Sequence, residues 1–304
     1  MTKACTEFYY SEDFVFIRVL KYINISYLLR TQEYTHHTVL TSSISLAKMC
    51  RSSQTFYLLF LLALFPPTSP LTCDDGIIRG VNLGGWLLLE PWITPVFFEE
   101  VNVGDLRDQI VDEWTYAERL EPEVYQERMV RHWSTFLTRP DLEDLVRAGV
   151  SHVRIPVGYW YWDVQPGEPF PAPNLDWESE LSPLFYLRRA LGWLEELGLK
   201  ALLDLHAGPG SQNGYDNSGR RGKAHWVDAS YLLGNRDNLD RTVAINNKMA
   251  ATLRQWVDTG LLSINTLYGF GLLNEPHICG YQSLNLLKEA CLNDYYPKGY
   301  AAIR

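Results

Sequence analysis

Cysteine is scarce in this 304-residue chain: Cys5, Cys50, Cys73, Cys279 and Cys291 are all there is. No CxxC pair and no Cys/His pattern has zinc spacing, so no metal is expected. Cys279 and Cys291 either pair in an oxidising compartment or sit buried as thiols. Basic clusters are also lacking, and the net charge is −9, which argues against nucleic acid as a partner. The longest apolar stretch, Phe56–Phe65, is too short to span a bilayer as a helix. The glycine-rich stretch 207–222 has neither GxxxxGK[ST] nor GxGxxG spacing, so no nucleotide cofactor is indicated and none is expected. There is no internal repeat and no low-complexity tract. Tryptophan is missing from the first 85 residues, although the chain holds ten.

What remains is an ordinary globular composition, 46% hydrophobic and 21% charged, enough for one large domain. Residues 1–48 carry no catalytic signature, and we read them as an upstream extension outside the fold. Residues 49–73 have the grammar of a secretory signal: Arg51 as the positive end, Phe56–Phe65 as the apolar centre, and Pro66–Thr72 as a breaker-rich tail. Met49 is then the expected start, with cleavage near 65–75 and a secreted or cell-wall location. The alternative is a type II membrane protein anchored by 56–65. Residues 74–304 form the predicted folded domain.

Past residue 73, short apolar runs (Ile77–Leu83, His152–Val157, Lys200–Leu205, Leu267–Leu273) alternate with amphipathic stretches. The latter are Val124–Leu137, Pro140–Ala148, Pro183–Leu197 and Leu239–Val257. Leu184, Leu187, Ala190, Leu191 and Leu194 recur at helical spacing, and Gly149, Gly198 and Gly260 follow the last apolar residues as helix stops. Strands alternating with helices predict βα units on a parallel sheet. A further helix is predicted over Ser283–Tyr295.

Polar groups stand at the C-terminal ends of these runs. The first leads through Gly84-Gly85-Trp86 to Glu90, the second carries Arg154, the third ends in Asp204-Leu205-His206, and the fourth ends in Asn274-Glu275-Pro276. In a (β/α)8 barrel such ends converge on one mouth, where the active site is built. Taken singly, each has a plainer reading: Arg154 as structural pairing, His206 as a satisfied core histidine, Glu90 as a strand end. The joint pattern favours function. In the loop 207–222, Asn213, Asp216 and Asn217 offer donors and acceptors suited to sugar hydroxyls, and Tyr215 offers a stacking face. Its plainer reading is a surface turn.

The segments RGVNLGGWLLLEPWITP (79–95), DEWTY (112–116), HWSTFLT (132–138), AGVSHVRIPVGYWYWD (148–163), LDLHAGPGSQNGYDNSGRRG (203–222) and LLNEP (272–276) resemble the fungal exo-β-1,3-glucanases. These are a branch of glycoside hydrolase family 5, retaining enzymes with a (β/α)8 TIM barrel. The resemblance implies hydrolysis of β-1,3-glucan or laminari-oligosaccharide from chain ends, releasing glucose. It implies Glu275 as general acid/base, with Asn274 contacting the sugar 2-OH and Arg154 orienting the nucleophile. Glu90 and His206 would contact the terminal glucose, and Asp216 and Asn217 match polar contacts in the same loop. Tyr215 stands where the family often has a clamping Phe. A retaining enzyme holds two carboxyl groups about 5–5.5 Å apart, one of them protonated by burial and by its ionised neighbour. Glu275 at the end of an apolar strand is expected to be that buried, protonated member.

The family's nucleophile is a Glu at the end of strand seven, whereas this sequence reads only through strand four and the helix after it. Past Glu275 the acidic residues are Glu289 and Asp294, both in that helical stretch. The expectation is therefore an incomplete barrel of about four βα units, an inactive fragment of the N-terminal half of the catalytic domain, and a monomer. Alternatives are a non-catalytic glucan-binding module, or an endo-acting β-glucanase of the same clan.

Overall fold

Four strands lie side by side in sequence order as one parallel sheet, β1 (Gly80–Asn82), β2 (His152–Gly158), β3 (Lys200–Ala207) and β4 (Leu267–Gly271). The computed structural model describes residues 77–277 and 283–304. The extension 1–48, the signal-like segment 49–73, and Cys5, Cys50, Cys73 and Cys279 all lie outside the described residues, and so does any pairing of Cys279. Cys291 is buried.

Parallel neighbours need a crossover, and helices supply it. Between β1 and β2 run α1 (Pro95–Glu99), α2 (Glu113–Arg119), α3 (Pro122–Phe136) and α4 (Arg139–Arg147). A single helix, α5 (Pro183–Leu197), links β2 to β3, and α6 (Asp237–Asp258) links β3 to β4. Beyond the sheet, α7 (Ser283–Lys288) passes through a π-helical turn (Glu289–Tyr295) into α8 (Tyr296–Ile303).

Local chemistry sets the helix ends. The Asp141 carboxylate accepts from both the N–H and the hydroxyl of Thr138 at the start of α4, at 2.8 and 2.6 Å. Ser182 Oγ accepts from Leu184 N–H at 3.2 Å to begin α5. That helix stops at Gly198, whose φ of 73° is left-handed backbone that glycine adopts without penalty. Gly149 and Gly260 end α4 and α6 in the same conformation. The apolar stripe expected on α5 is buried: Leu184, Leu187, Ala190, Leu191 and Leu194.

Strand alternation decides what reaches the site. Val153, Ile155, Leu203 and Leu205 bury one face of the sheet in the core. Arg154, Asp204 and His206 occupy the intervening positions and project to the other face. The register places Asn82 beside Arg154, Pro156 beside Asp204, and Asp204 beside Gly271.

Candidate active site

Arg154 is the hub of the polar face. Its Nη1 donates to Asn82 Oδ1 at 3.1 Å, and its Nη2 reaches Asp204 Oδ2 and Asn274 Oδ1, both at 2.7 Å. Side chains from β1, β3 and the turn after β4 therefore meet on one guanidinium. His206 Nδ1 lies 2.8 Å from the same Asp204 oxygen, so the ring carries its proton on Nδ1. That leaves Nε2 to accept from Asn274 Nδ2 at 3.4 Å. The amide of Asn274 is thereby fixed both ways, with oxygen toward Arg154 and nitrogen toward His206. Asp204 is buried, and its carboxylate packs so closely over Gly271 that a Cβ there would sit 2.3 Å from Oδ1.

Glu90 enters from the loop after β1 and is buried, 5% exposed. Its Oε2 accepts from Trp92 Nε1 at 3.3 Å, whereas Oε1 has no hydrogen-bond partner among the described residues. Burial raises its pKa above the usual carboxylate range, with nearby His206 pulling the other way and Asp216 adding to the rise. A buried carboxyl oxygen without a partner is costly unless a ligand hydroxyl satisfies it. The loop can pass this close because Gly84 has no side chain: a Cβ there would lie 3.1 Å from Glu90 Oε1 and 2.8 Å from the Ile93 side chain.

The stretch 207–222 is not a plain surface turn. Ser211, Gln212, Asn213 and Ser218 are buried within it. Ser211 and Ser218 hydroxyls share a hydrogen bond at 2.6 Å, and Asn213 Oδ1 accepts from Tyr215 N–H at 2.9 Å. Gln212 acts as a clasp. Its side-chain Nε2 donates to the carbonyls of His206 (2.7 Å) and Asn274 (3.0 Å), while its Oε1 accepts from Gly208 N–H at 2.9 Å. The end of β3 and the turn after β4 are thus tied to one buried amide. Asn213 Nδ2 donates to Asn217 Oδ1 at 3.1 Å, which leaves Asn217 Nδ2 to donate to Glu275 Oε2 at 3.2 Å.

Glu275 departs from expectation. It is exposed, not buried, because the Asn274–Pro276 turn carries its side chain away from the sheet into an open cleft. That cleft, about 630 Å³, is lined by Tyr215, Leu273, His277, Lys288, Cys291 and Tyr296 among others. Glu275 also has φ of 43°, one of three positive-φ non-glycine residues among those described. Such left-handed backbone costs a side-chain-bearing residue on the order of 1 kcal/mol and gathers at functional sites. Tyr215 is exposed and lies nearly parallel to His277, 15° between planes with centroids 6.5 Å apart. The pair presents a flat aromatic wall beside Glu275.

The expected residues Glu90, Arg154, His206 and Asn274 therefore gather on one face, and Asp216, Asn217, Tyr215 and Glu275 border it. Sequence reading left three contributors out of the candidate set. Asp204 was visible at its strand end, two residues before His206, and period-2 alternation puts both on one face. Asn82 was signalled only by register. Gln212 carried no sequence signal beyond its place in a turn-rich loop. The assembly provides donors and acceptors for several hydroxyls, an aromatic wall, and one solvent-facing carboxylate. Among the described residues no group of three or more His, Cys, Asp or Glu could hold a metal ion.

No family model matches the chain. Among curated proteins it is 40% identical over 222 residues to the probable glucan 1,3-beta-glucosidase A of Aspergillus fumigatus, covering 73% of this chain and 45% of that protein. It is 38% identical over 227 residues to the glucan 1,3-beta-glucosidase of Pichia angusta, covering 75% and 45%. The chain spans about half the length of the curated relatives it matches. Among solved structures, the rutinosidase from Aspergillus niger superposes with a TM-score of 0.55 at 21% identity, covering 74% of this chain and 57% of that one. The chain shares that structure's parallel α/β fold over the matched part.

Proposed function

From the premise that this chain is a homologue of the fungal glucan 1,3-beta-glucosidases over the residues it shares with them, we propose that its strand-end mouth binds the terminal glucose of a β-1,3-glucan. In this reading Glu90 Oε1 accepts from a hydroxyl of the terminal sugar, and the His206 ring borders the same sugar. Asn274, locked by Arg154 and His206, addresses the 2-OH. Asp216 and Asn217 contribute from the loop, and Tyr215 stacks on the sugar beyond the cleavage point. Glu275 is the general acid/base of a retaining mechanism. The observation that carries the reading is the convergence of Glu90, Arg154, His206 and Asn274 from four successive strand ends beside one exposed carboxylate and an aromatic wall.

A retaining mechanism needs a second carboxylate as nucleophile. Asp204 is committed to Arg154 and His206, and Glu90 is buried in the loop after β1 with one oxygen on Trp92. We infer that the described residues do not supply the nucleophile, and that their barrel is the first four βα units of eight. This favours sugar binding without turnover for the described residues by themselves, the glucan-binding reading. The signal-like grammar of 49–73 supports secretion. The test is to incubate the full chain with laminarin, following glucose release alongside retention on an insoluble β-1,3-glucan. Retention without release is expected. Release at the rate of an intact glucosidase would overturn the nucleophile argument, and absence of retention would overturn the site.

A further inference from the structure

Glu113 is fully buried, yet the proposed chemistry does not use it. It opens α2, and its Oε2 accepts the N–H of Leu89 at 2.7 Å. Leu89 immediately precedes Glu90 in the loop after β1. On its other side, Glu113 Oε1 is 3.5 Å from the Tyr125 hydroxyl of α3. The Trp160 indole N–H and the Tyr161 hydroxyl, both from the turn after β2, are also buried and make no hydrogen bond among the described residues. Burying a carboxyl group this deep is costly; its shortest hydrogen bond, 2.7 Å, goes to the Leu89 amide, and the loop it holds leads into Glu90.

We propose that Glu113 is a positioning residue for Glu90: through the Leu89 amide it fixes the loop so that Glu90 Oε1 faces the strand-end cluster. The proposal rests on the reading of that cluster as a sugar site. Burial also pushes the Glu113 pKa up to about 8, against the Leu89 amide, with Asp112 adding to the rise. The hold therefore involves a neutral acid at neutral pH and a carboxylate above it. The groups facing Glu113 are the Leu89 amide, Tyr125, Tyr161, Trp160 and its neighbour Asp112. Those acting on Glu90 are His206, Asp216, Arg154 and Trp92.

The experiment uses the full chain, Glu113→Gln and Glu113→Met, with laminaribiose as ligand and the carbon-13 resonance of the Glu90 carboxyl as reporter. Gln keeps an acceptor for Leu89 but cannot ionise, whereas Met keeps neither property. Expected for the native chain is a two-step Glu90 titration with one step near pH 8, reduced to a single step in Glu113→Gln. Laminaribiose affinity should stay within about twofold of native in Glu113→Gln and fall tenfold or more in Glu113→Met. A Glu90 titration unchanged by Glu113→Gln, or native affinity in Glu113→Met, overturns the proposal. Should Glu113→Met not fold, the Gln titration decides alone. If the native chain binds no laminaribiose, the sugar-site reading falls, while the Glu90 resonance still judges the positioning.

Discussion

Removing the Asp204 carboxylate would take from Arg154 and His206 a partner that they share at 2.7 and 2.8 Å. Stripping one member from a buried ion pair leaves the other uncompensated, a loss of about 3–5 kcal/mol. Asp204→Ala is therefore expected to lower unfolding free energy by about 3 kcal/mol in a denaturant titration. Gly271→Ala is expected to destabilise by about 1–3 kcal/mol, because its Cβ would collide with the same carboxylate. Two other buried groups give stability a pH dependence of opposite sign. Glu113 stays protonated in the fold to about pH 8 but ionises near 4.5 when exposed, so stability falls as pH rises between those values. His132, whose Nε2 meets the Gly85 carbonyl at 2.7 Å, is held neutral to about pH 4 by burial against an ordinary value of 6.5. Its contribution is lost as pH falls through that window. The slopes oppose between 4.5 and 6.5, so melting temperature should be nearly flat there. From 6.5 to 8 the unfolding free energy should decline at up to about 1.4 kcal/mol per pH unit, and the melting temperature with it. Melting curves of Glu113→Gln should lack the alkaline decline, and a decline kept in that variant would contradict the assignment.

At the scale of elements, the four strands and the main crossover helices were legible because their apolar spacing and glycine stops are local signals. β1 and β4 came out shorter than their apolar runs, ending beside Arg154 and Asp204 while the neighbouring β2 and β3 run on. Helix α2 was missed although its signal was present: Asp112 Oδ1 accepts from Thr115 N–H at 2.7 Å, and Thr115 Oγ1 accepts from Asp112 N–H at 3.2 Å. Helix α8 was not foreseen; Pro297 lies in its first turn, where no N–H is required. Residue Glu275 was legible by type and position but not by exposure, which depends on what packs over the turn. The Gln212 clasp was illegible for a related reason, since its partners are carbonyls on two different strands. Gln212→Leu should leave those carbonyls and the Gly208 N–H without their buried partner, costing about 1–3 kcal/mol. It should also weaken laminari-oligosaccharide binding, because the Asn274–Glu275 turn loses its anchor. Calorimetric titration alongside thermal melting checks both, and an unchanged affinity would remove the clasp from the account of the site.

For the whole molecule, β1 and β4 each pair on one side only among the described residues. Tyr268 on β4 is 54% exposed. The parallel order was foreseen from alternation alone, and the mouth follows from it, since every strand delivers its C-terminal end to the same side. What local sequence does not contain is closure, because closing a barrel is a relation between distant strands. The central proposal is that this mouth binds a terminal glucose and carries an acid/base, and that the described residues do not supply the attacking carboxylate. Proton NMR of laminaritriose with the full chain reads both halves at once, binding as ligand line broadening and cleavage as new anomeric signals. The account expects saturable broadening, diminished in Glu90→Gln, with no new anomeric signals over hours. New β-anomer glucose signals that vanish in Glu275→Gln, or unbroadened lines throughout, would contradict it.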